Sequence, residues 1–197
     1  MPQVLKEDIK NRILETALNE FLAKGYLSTS MKGIAKGAGI AVGNIYNYFK
    51  DKDELYTTVV MPVISAMDML FRRPPETMDI SGIEKKLMQF IEIYKDNQKV
   101  FLMLVSNSKN TRFEKMRENI IDKFAIAIKR WKNLIEGDIG GADRSTFIKA
   151  FATAYISGVI SILSEEIENE YKLQILYEYL SFMKDAIYRK FVTKAVV

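Results

Sequence analysis

Apolar residues recur along this chain of 197 residues at intervals of three and four rather than two. An interval of three or four aligns side chains on one face of an α-helix, whereas a strand with one buried face needs an interval of two. Proline, which interrupts helices, occurs only 4 times in the whole sequence. The pattern therefore predicts an all-α fold of about nine helices.

Glycine, serine and proline positions predict where these helices begin and end. Gly25 and Gly39 are typical of residues that follow a helix, and Ser30 is typical of a residue that caps the start of one. Pro62 lies inside the fourth predicted helix, where it cannot donate to the carbonyl of Thr58, and we expect a kink there. The predicted helices cover about 6–24, 31–37, 42–48, 52–71, 83–94, 100–105, 111–136, 144–168 and 172–192.

The chain contains neither cysteine nor histidine. Disulfides, thiol nucleophiles and cysteine-based zinc sites are excluded, and the commonest metal ligand and near-neutral general base are missing. Carboxylate and lysine chemistry remains open, so an enzyme with such a site is a remote alternative. Glu165, Glu166 and Glu168 crowd together, but their place at a polar helix end favours a solvated surface. We expect no cofactor and no metal.

Charge and hydropathy predict a cytoplasmic protein with no membrane contact. No apolar run approaches the ~20 residues that span a bilayer, and residues 1–10 lack the apolar core of a secretory signal. The net charge of +4 permits a polyanionic partner. Residues 1–55 hold 8 Lys and Arg against 7 Asp and Glu, so the sequence does not favour a non-specific DNA-coating protein.

The first three predicted helices have the outline of a helix-turn-helix unit that reads DNA. The second and third are short, and Gly39 between them can adopt the positive φ of a tight turn. A small core would fix the angle between the two helices. We predict that it consists of Ile34, Ala35, Ile40, Ile45 and Phe49.

A larger set of residues in this region fits one known pattern. The set comprises Ile13, Leu14, Ala17, Phe21, Gly25, Tyr26, Thr29, Ile34, Ala35, Ala38, Gly39, Gly43, Ile45, Tyr46, Tyr48, Phe49, Lys52 and Leu55. Together with the segment IAKGAGIAVGNIYNYFKDKDEL, these residues resemble the N-terminal domain of the TetR family of bacterial transcriptional regulators. The resemblance covers residues 9–55, about a quarter of the chain, and Ala41 departs from the Ser or Thr usual in the family.

The resemblance implies a DNA-binding domain over 1–51 and a helical domain for ligand binding and dimerisation over 52–197. It implies a homodimeric repressor that a small, largely apolar ligand releases from a palindromic operator in double-stranded DNA. An activator, or a regulator that needs no ligand, is the alternative within the same class.

The residues expected to contact DNA lie in and around the third predicted helix, which would enter the major groove. Val42, Asn44 and Asn47 would face base edges, and Gly43 would let the backbone approach the DNA. Tyrosine and lysine side chains nearby would contact phosphates, which position a protein without specifying sequence. The remaining predicted contacts are Thr29, Ser30, Lys32, Tyr46, Tyr48, Lys50 and Lys52.

Each of the last two predicted helices carries apolar residues on more than one face, which favours a second partner besides the chain's own core. A thick core within one chain would give the same pattern. The resemblance implies a dimer interface made by these helices. The candidate interface residues are Ala154, Gly158, Ile162, Leu176, Leu180, Met183 and Ile187.

The helices between these two regions would enclose the effector pocket, by analogy with the family. Methionine and aromatic side chains adapt to varied apolar ligands, although each of these residues also fits ordinary core packing. The candidate lining residues are Met67, Phe71, Met88, Ile91, Tyr94, Met103, Trp131 and Tyr155.

Overall fold

The computed structural model of the chain describes residues 3–73, 80–106, 108–136 and 145–191, which form helices and the turns between them without a strand. The all-α prediction is confirmed. Eight helices lie in these ranges instead of the nine predicted. They are α1 (Gln3–Ser28), α2 (Met31–Gly37), α3 (Val42–Ile45), α4 (Lys52–Arg72), α5 (Ile80–Ser106), α6 (Met116–Glu136), α7 (Ser145–Ser164) and α8 (Asn169–Phe191).

The prediction of separate helices around 83–94 and 100–105 is wrong, because both segments belong to α5. Helical geometry is interrupted only locally, at Asn97 (φ −135°, ψ 26°), and the chain continues as a helix beyond it. Val100, Phe101, Met103 and Leu104 are buried, as the apolar run predicts. An interrupted helix and two adjacent helices give almost the same apolar pattern, so the sequence could not separate them.

The helices group into two compact units. The first comprises residues 1–65 and 97–116, and the second comprises 66–96 and 117–197. The boundary between the units therefore falls within α4, within α5 and after the first residue of α6. The functional division proposed between 1–51 and 52–197 stays a prediction.

The core of the first unit begins with one face of α1. Ile9, Ile13, Ala17 and Phe21 are buried there, at the intervals that the sequence predicted. Aromatic rings extend this core towards α4, since the centroids of Phe21 and Tyr56 lie 5.0 Å apart in an edge-on arrangement. Burial raises the pKa of Tyr56 to about 12, while the neighbouring Thr111 hydroxyl opposes the shift.

The ends of the first helices follow the predicted signals. Gly25 leaves helical geometry within the last turns of α1, with φ 73° and ψ 170°. Ser30 caps α2, since its side chain accepts a hydrogen bond of 3.1 Å from the N–H of Gly33. Asp51 caps α4 in the same way, through a 2.8 Å bond from the N–H of Glu54. α4 then continues through Pro62 to Arg72 as one helix.

α4 and α7 are long and apolar enough to match a membrane span by length and composition. The expectation that no stretch reaches this length is therefore wrong. Core helices of soluble proteins pass the same test, and α7 buries Ile148, Ala152, Val159 and Leu163 within the second unit. The finding is weak evidence for a membrane segment.

α7 and α8 pack closely, and the contact depends on Gly158. The Tyr179 hydroxyl of α8 lies 3.1 Å from the carbonyl oxygens of both Ala154 and Tyr155, so its single proton is shared between two acceptors. A Cβ added at Gly158 would lie 2.2 Å from the Tyr179 oxygen. Gly158 therefore provides room for a residue of its own chain.

This geometry reverses the usual effect of replacing a helix glycine. Gly→Ala inside a helix normally stabilises by ~1 kcal/mol. We expect Gly158→Ala instead to destabilise the protein by ~1–3 kcal/mol, because the new methyl group displaces the Tyr179 ring. Urea denaturation of the purified protein measures the change in the free energy of unfolding.

Two further variants test the cause. In a Tyr179→Ala background, Gly158→Ala should lose its penalty, which a double-mutant cycle detects. Gly43→Ala on α3 is a matched control, because a Cβ there meets nothing within 4 Å. If Gly158→Ala stabilises the protein as much as an ordinary helix glycine replacement, the proposed role of Gly158 is wrong.

Candidate DNA-reading surface

The α2–α3 segment has one buried and one exposed side. Ile34, Ala35, Ile45 and Phe49 are buried, as predicted, whereas Ile40 is only half-buried. Gly39 joins the two helices with φ 67°, a conformation that glycine adopts without strain. The buried side therefore fixes the two helices, and the opposite side is left open.

α3 and the turn after it present several of the predicted DNA contacts to solvent. Val42 is 39% exposed and Tyr46 is 53% exposed. Gly43, Asn44 and Asn47 are exposed beside them. The structure thus exposes five of the predicted DNA contacts on α3 and the turn that follows it.

The two asparagine amides on this surface are hydrogen-bonded to each other. The Nδ2 of Asn47 donates to the Oδ1 of Asn44 over 3.0 Å. Asn44 keeps both amide protons and one lone pair for a ligand, and Asn47 keeps its oxygen and one proton. The bond fixes the relative orientation of the two amides, so we expect them to read bases as one unit.

The N-terminal cap of α3 has the weakness expected from Ala41. Ala41 occupies the cap position with extended geometry (φ −64°, ψ 141°) and provides no side-chain hydrogen bond. A Ser or Thr cap is worth ~1 kcal/mol. The short helix α3 therefore depends on the burial of Ile45 more than on its own ends.

Some of the residues predicted near phosphates have exposed side chains, and others already form hydrogen bonds within the chain. Lys32 and Lys50 are exposed, and Tyr48 is half-buried. Ser30 is exposed, but its oxygen accepts the capping bond of α2. Thr29 is 2% exposed, and its hydroxyl lies within donating distance of the carbonyls of Glu20 and Gly25. We therefore assign Thr29 to the packing of the domain.

Lys52 has a structural partner that the sequence did not show. Its ammonium group donates to the carbonyl oxygens of Tyr26 at 2.7 Å and Thr29 at 2.8 Å, with Leu27 at 3.4 Å. It also lies 4.4 Å from the centre of the Tyr26 ring. Burial lowers its pKa from the ordinary value. The positive charge therefore stabilises the carbonyl end of α1.

The start of α4 is held from a second side by a residue that the sequence analysis missed. Arg112, in the segment before α6, forms an ion pair with Asp53. Both residues belong to the first unit. Burial and the carboxylates of Asp53 and Asp51 raise the pKa of Tyr26, and Arg112 opposes that shift. No motif in the sequence links positions 53 and 112.

Most residues predicted to line an effector pocket are packed side chains. Tyr155 stacks on Phe124 with ring centroids 4.5 Å apart. Met88 differs, since it is 46% exposed. The Trp131 side chain lies outside the described residues. Met67, Ile91, Tyr94 and Met103 are buried and Phe71 is half-buried, with Met103 in the first unit and the others in the second.

The residues predicted for a dimer interface also differ in exposure. Leu176 and Leu180 are 0% and 1% exposed within the single chain, so we assign them to the packing of α8 within its own protomer. Ala154 is exposed, and Gly158, Ile162 and Met183 are half-buried. The Ile187 side chain lies outside the described residues.

Further aromatic side chains are exposed on the same two helices. Phe147 on α7 is 46% exposed, and Tyr171 and Phe182 on α8 are 57% and 72% exposed. Among the described residues, no group of three or more acidic side chains could hold a metal ion. The candidate functional features are the exposed polar side chains in and after α3 and the exposed aromatic side chains of α7 and α8.

Comparison with known proteins identifies the N-terminal region. Residues 13–59 match the family described as bacterial regulatory proteins, tetR family. An uncharacterised helix-turn-helix transcriptional regulator of Bacillus subtilis, YhgD, is 29% identical over 107 residues, which cover 52% of this chain and 54% of that protein.

Two further proteins show similarity. IcaR of Staphylococcus epidermidis, a negative transcriptional regulator of a biofilm operon, is 29% identical over 84 residues, 42% of this chain and 45% of that protein. A transcriptional regulator of Aquifex aeolicus has a similar structure, with a TM-score of 0.60 and 25% identity over 89% of this chain and 99% of that one. The matched region spans about half the length of the first curated relatives.

The Asn44–Asn47 hydrogen bond predicts coupled effects on DNA recognition. Asn44→Ala and Asn47→Ala should each cost ~1–3 kcal/mol on the preferred sequence. The double variant should cost clearly less than the sum, because each single change already releases the other amide. Binding titrations with DNA fragments of the preferred and of a scrambled sequence measure the binding free energy of each variant. Additive losses, or equal losses on both fragments, would contradict coupled reading.

The contacts of Lys52 predict that it stabilises the domain without contacting phosphate. Lys52→Met should lower the free energy of unfolding by ~1–3 kcal/mol, because charge-assisted hydrogen bonds are lost. Its DNA complex should keep the salt dependence of the unmodified protein. Lys50→Met, which removes an exposed charge, should leave stability unchanged and reduce the salt slope by ~1. If Lys52→Met reduces the slope of the salt dependence, this prediction is wrong and Lys52 contacts a phosphate, as the family resemblance implies.

Proposed function

We propose that this chain is a regulator of the TetR family, whose model residues 13–59 match, and that it is a homodimeric repressor released from a palindromic operator by a small ligand. The observation that carries this proposal is the surface of α3. The exposed Val42 and Asn44 lie on a helix only 4 residues long in which Ile45 is buried, and the exposed Tyr46 and Asn47 lie in the turn that follows. A helix presented in this way fits the major groove of double-stranded DNA.

The chemistry of this surface suits specific reading. Amides pair with base edges, and a valine methyl group can contact the methyl group of thymine. The charges of the exposed Lys32 and Lys50 suit phosphate contacts, which supply affinity without sequence preference. Because residues 1–55 are nearly neutral in sum, we expect the sequence-independent electrostatic part of the affinity to be modest.

The homodimer in this proposal uses the exposed faces of α7 and α8. Tyr171 and Phe182 of α8 are 57% and 72% exposed in the single chain, and aromatic side chains are enriched in the buried centres of interfaces. Ala154 lies exposed on α7 and would let a partner helix approach closely. The two DNA-binding domains of a symmetric dimer would then match the two halves of a palindromic site.

Repression is favoured over activation because IcaR is named as a negative regulator. An activator or a ligand-independent regulator is the alternative, and an in vitro transcription assay on the bound promoter separates these cases. We do not propose an enzyme, since the matched relatives are named as transcriptional regulators. A repressor of this kind acts in the cytoplasm, where the operator lies.

Selection of bound fragments from a random pool of double-stranded DNA tests the proposal. We expect an enriched palindrome whose half-sites lie ~10 base pairs or a multiple apart. Phe182→Glu should yield monomers in sedimentation and lose this binding, because it places a charge in the interface. Ile126→Glu is a matched control, at a side chain of α6 that is 60% exposed. The proposal is wrong if no sequence is enriched, and its dimer surface is wrong if both variants behave alike.

A further inference from the structure

The unit that carries α3 is made of two stretches that are remote in the sequence. Residues 97–116 group with residues 1–65, whereas residues 66–96 belong to the second unit. The first unit therefore includes residues 108–115, which we call the α5–α6 connection. These residues contact the start of α4, which directly follows the α2–α3 segment.

Hydrogen bonds within the α5–α6 connection fix its backbone. The N–H and the hydroxyl of Thr111 donate to the carbonyl of Ser108 over 3.1 Å and 2.6 Å. The same hydroxyl accepts a 3.1 Å bond from the N–H of Phe113. The N–H of Asn110, a residue with φ 64°, donates to the carboxylate of Glu114 over 3.2 Å. The connection is therefore an ordered turn.

The α5–α6 connection packs on one face of α4. The buried ring of Phe113 stacks on that of Tyr56, with the ring centroids 6.0 Å apart. Asp53, which forms the ion pair with Arg112, precedes Tyr56 by three positions and so lies on the same face of the helix. The aromatic contact anchors the connection, and the ion pair reaches the first turn of α4.

The first turn of α4 is bonded to the end of the segment that carries the predicted DNA contacts. The N–H of Lys50 donates to the carboxylate of Glu54 over 2.6 Å, and the N–H of Glu54 donates to Asp51 over 2.8 Å. Asp53 lies within the same turn. A shift of this turn therefore moves the backbone of Lys50, an exposed residue predicted to contact phosphate.

The α2–α3 segment has weak support of its own. α3 has 4 residues, and Ala41 provides no capping bond. α2 contains Gly33 and Gly37, and glycine disfavours helices. An exposed ion pair has little effect on a rigid structure. Where the supported segment is marginally stable, the same pair can change the population of its DNA-binding conformation.

We propose that Arg112 is a positioning residue for DNA binding. Through Asp53 it holds the first turn of α4, and with that turn the α2–α3 segment, in the conformation that binds DNA. The DNA-binding domain then includes the α5–α6 connection and does not end at residue 51. This role rests on the proposed function, and it requires no contact between Arg112 and DNA.

Neutralising Arg112 tests the role in binding titrations of the full-length protein with the selected palindrome. Arg112→Gln should weaken binding about fivefold and leave the slope of the salt dependence unchanged, whereas loss of a phosphate contact reduces that slope by ~1. Lys109→Gln is the matched control, because it removes the same charge from an exposed side chain of the same connection. Its affinity should change by less than about twofold.

Neutralising Asp53 gives a test that depends on the sign of the effect. Removal of a negative charge near DNA should tighten binding by electrostatics alone, whereas loss of positioning weakens it. We expect Asp53→Asn to bind about fivefold more weakly. The double variant with Arg112→Gln should lose no more, because either change alone already breaks the pair. Arg112→Lys, which can still pair with Asp53, should keep most of the affinity.

Hydrogen–deuterium exchange of the free protein tests positioning without DNA. The amides of residues 42–55 should exchange faster in Arg112→Gln than in the unmodified protein or in Lys109→Gln. Thermal unfolding of each variant gives its overall stability. All titrations are made well below the unfolding temperature, so that a residue that only stabilises the fold leaves the measured affinity unchanged.

Any of four results would overturn the proposal. These are a reduced salt slope for Arg112→Gln, an equal loss of affinity for Lys109→Gln, undiminished binding by Asp53→Asn, or unchanged exchange at residues 42–55. A lower unfolding temperature with unchanged affinity would assign Arg112 to fold stability alone. If exchange responds as expected but no DNA is bound, the proposed function fails, while the effect of Arg112 on the α2–α3 segment stands.

Discussion

The ammonium group of Lys52 fixes the relation between α1 and the start of α4. Its donors bond the carbonyls of Tyr26 and Thr29, where α1 ends and the segment leading to α2 begins. The last carbonyls of a helix have no partner within it, so a cation placed there satisfies acceptors that would otherwise need water. Since Asp53 of the next position also pairs with Arg112, the first turn of α4 is tied to two separate segments of the first unit.

The sequence predicted the features of this unit that depend on local chemistry. The buried face of α1, the cap at Ser30 and the turn at Gly39 each follow from residue type and spacing within a few positions. The contacts of Lys52 and Asp53 could not be predicted in this way. They join residues separated by 26 and 59 positions, and only the folded chain brings those positions together.

The C-terminal helices show a different limit. Apolar residues on α8 predicted burial correctly at Leu176 and Leu180, but the pattern could not say which surface covers them. Gly158 illustrates the same ambiguity, because a small residue can admit a helix of another chain or a ring of its own chain. The structure places Tyr179 in that space. The prediction of the residues that line an effector pocket was limited for a similar reason, because methionine and aromatic side chains occur both in protein cores and in binding sites.

The α2–α3 segment separates the positions that hold the fold from those that face outwards. Ile34, Ala35 and Ile45 are buried, whereas Asn44 and Asn47 are exposed and contribute little to the core. Changes at the exposed positions therefore leave the free energy of unfolding nearly unaffected. Over evolutionary time, such a segment can acquire new recognition preferences by single mutations without passing through unstable intermediates. Duplicated copies of a gene with this arrangement can diverge in specificity while each copy remains a folded protein.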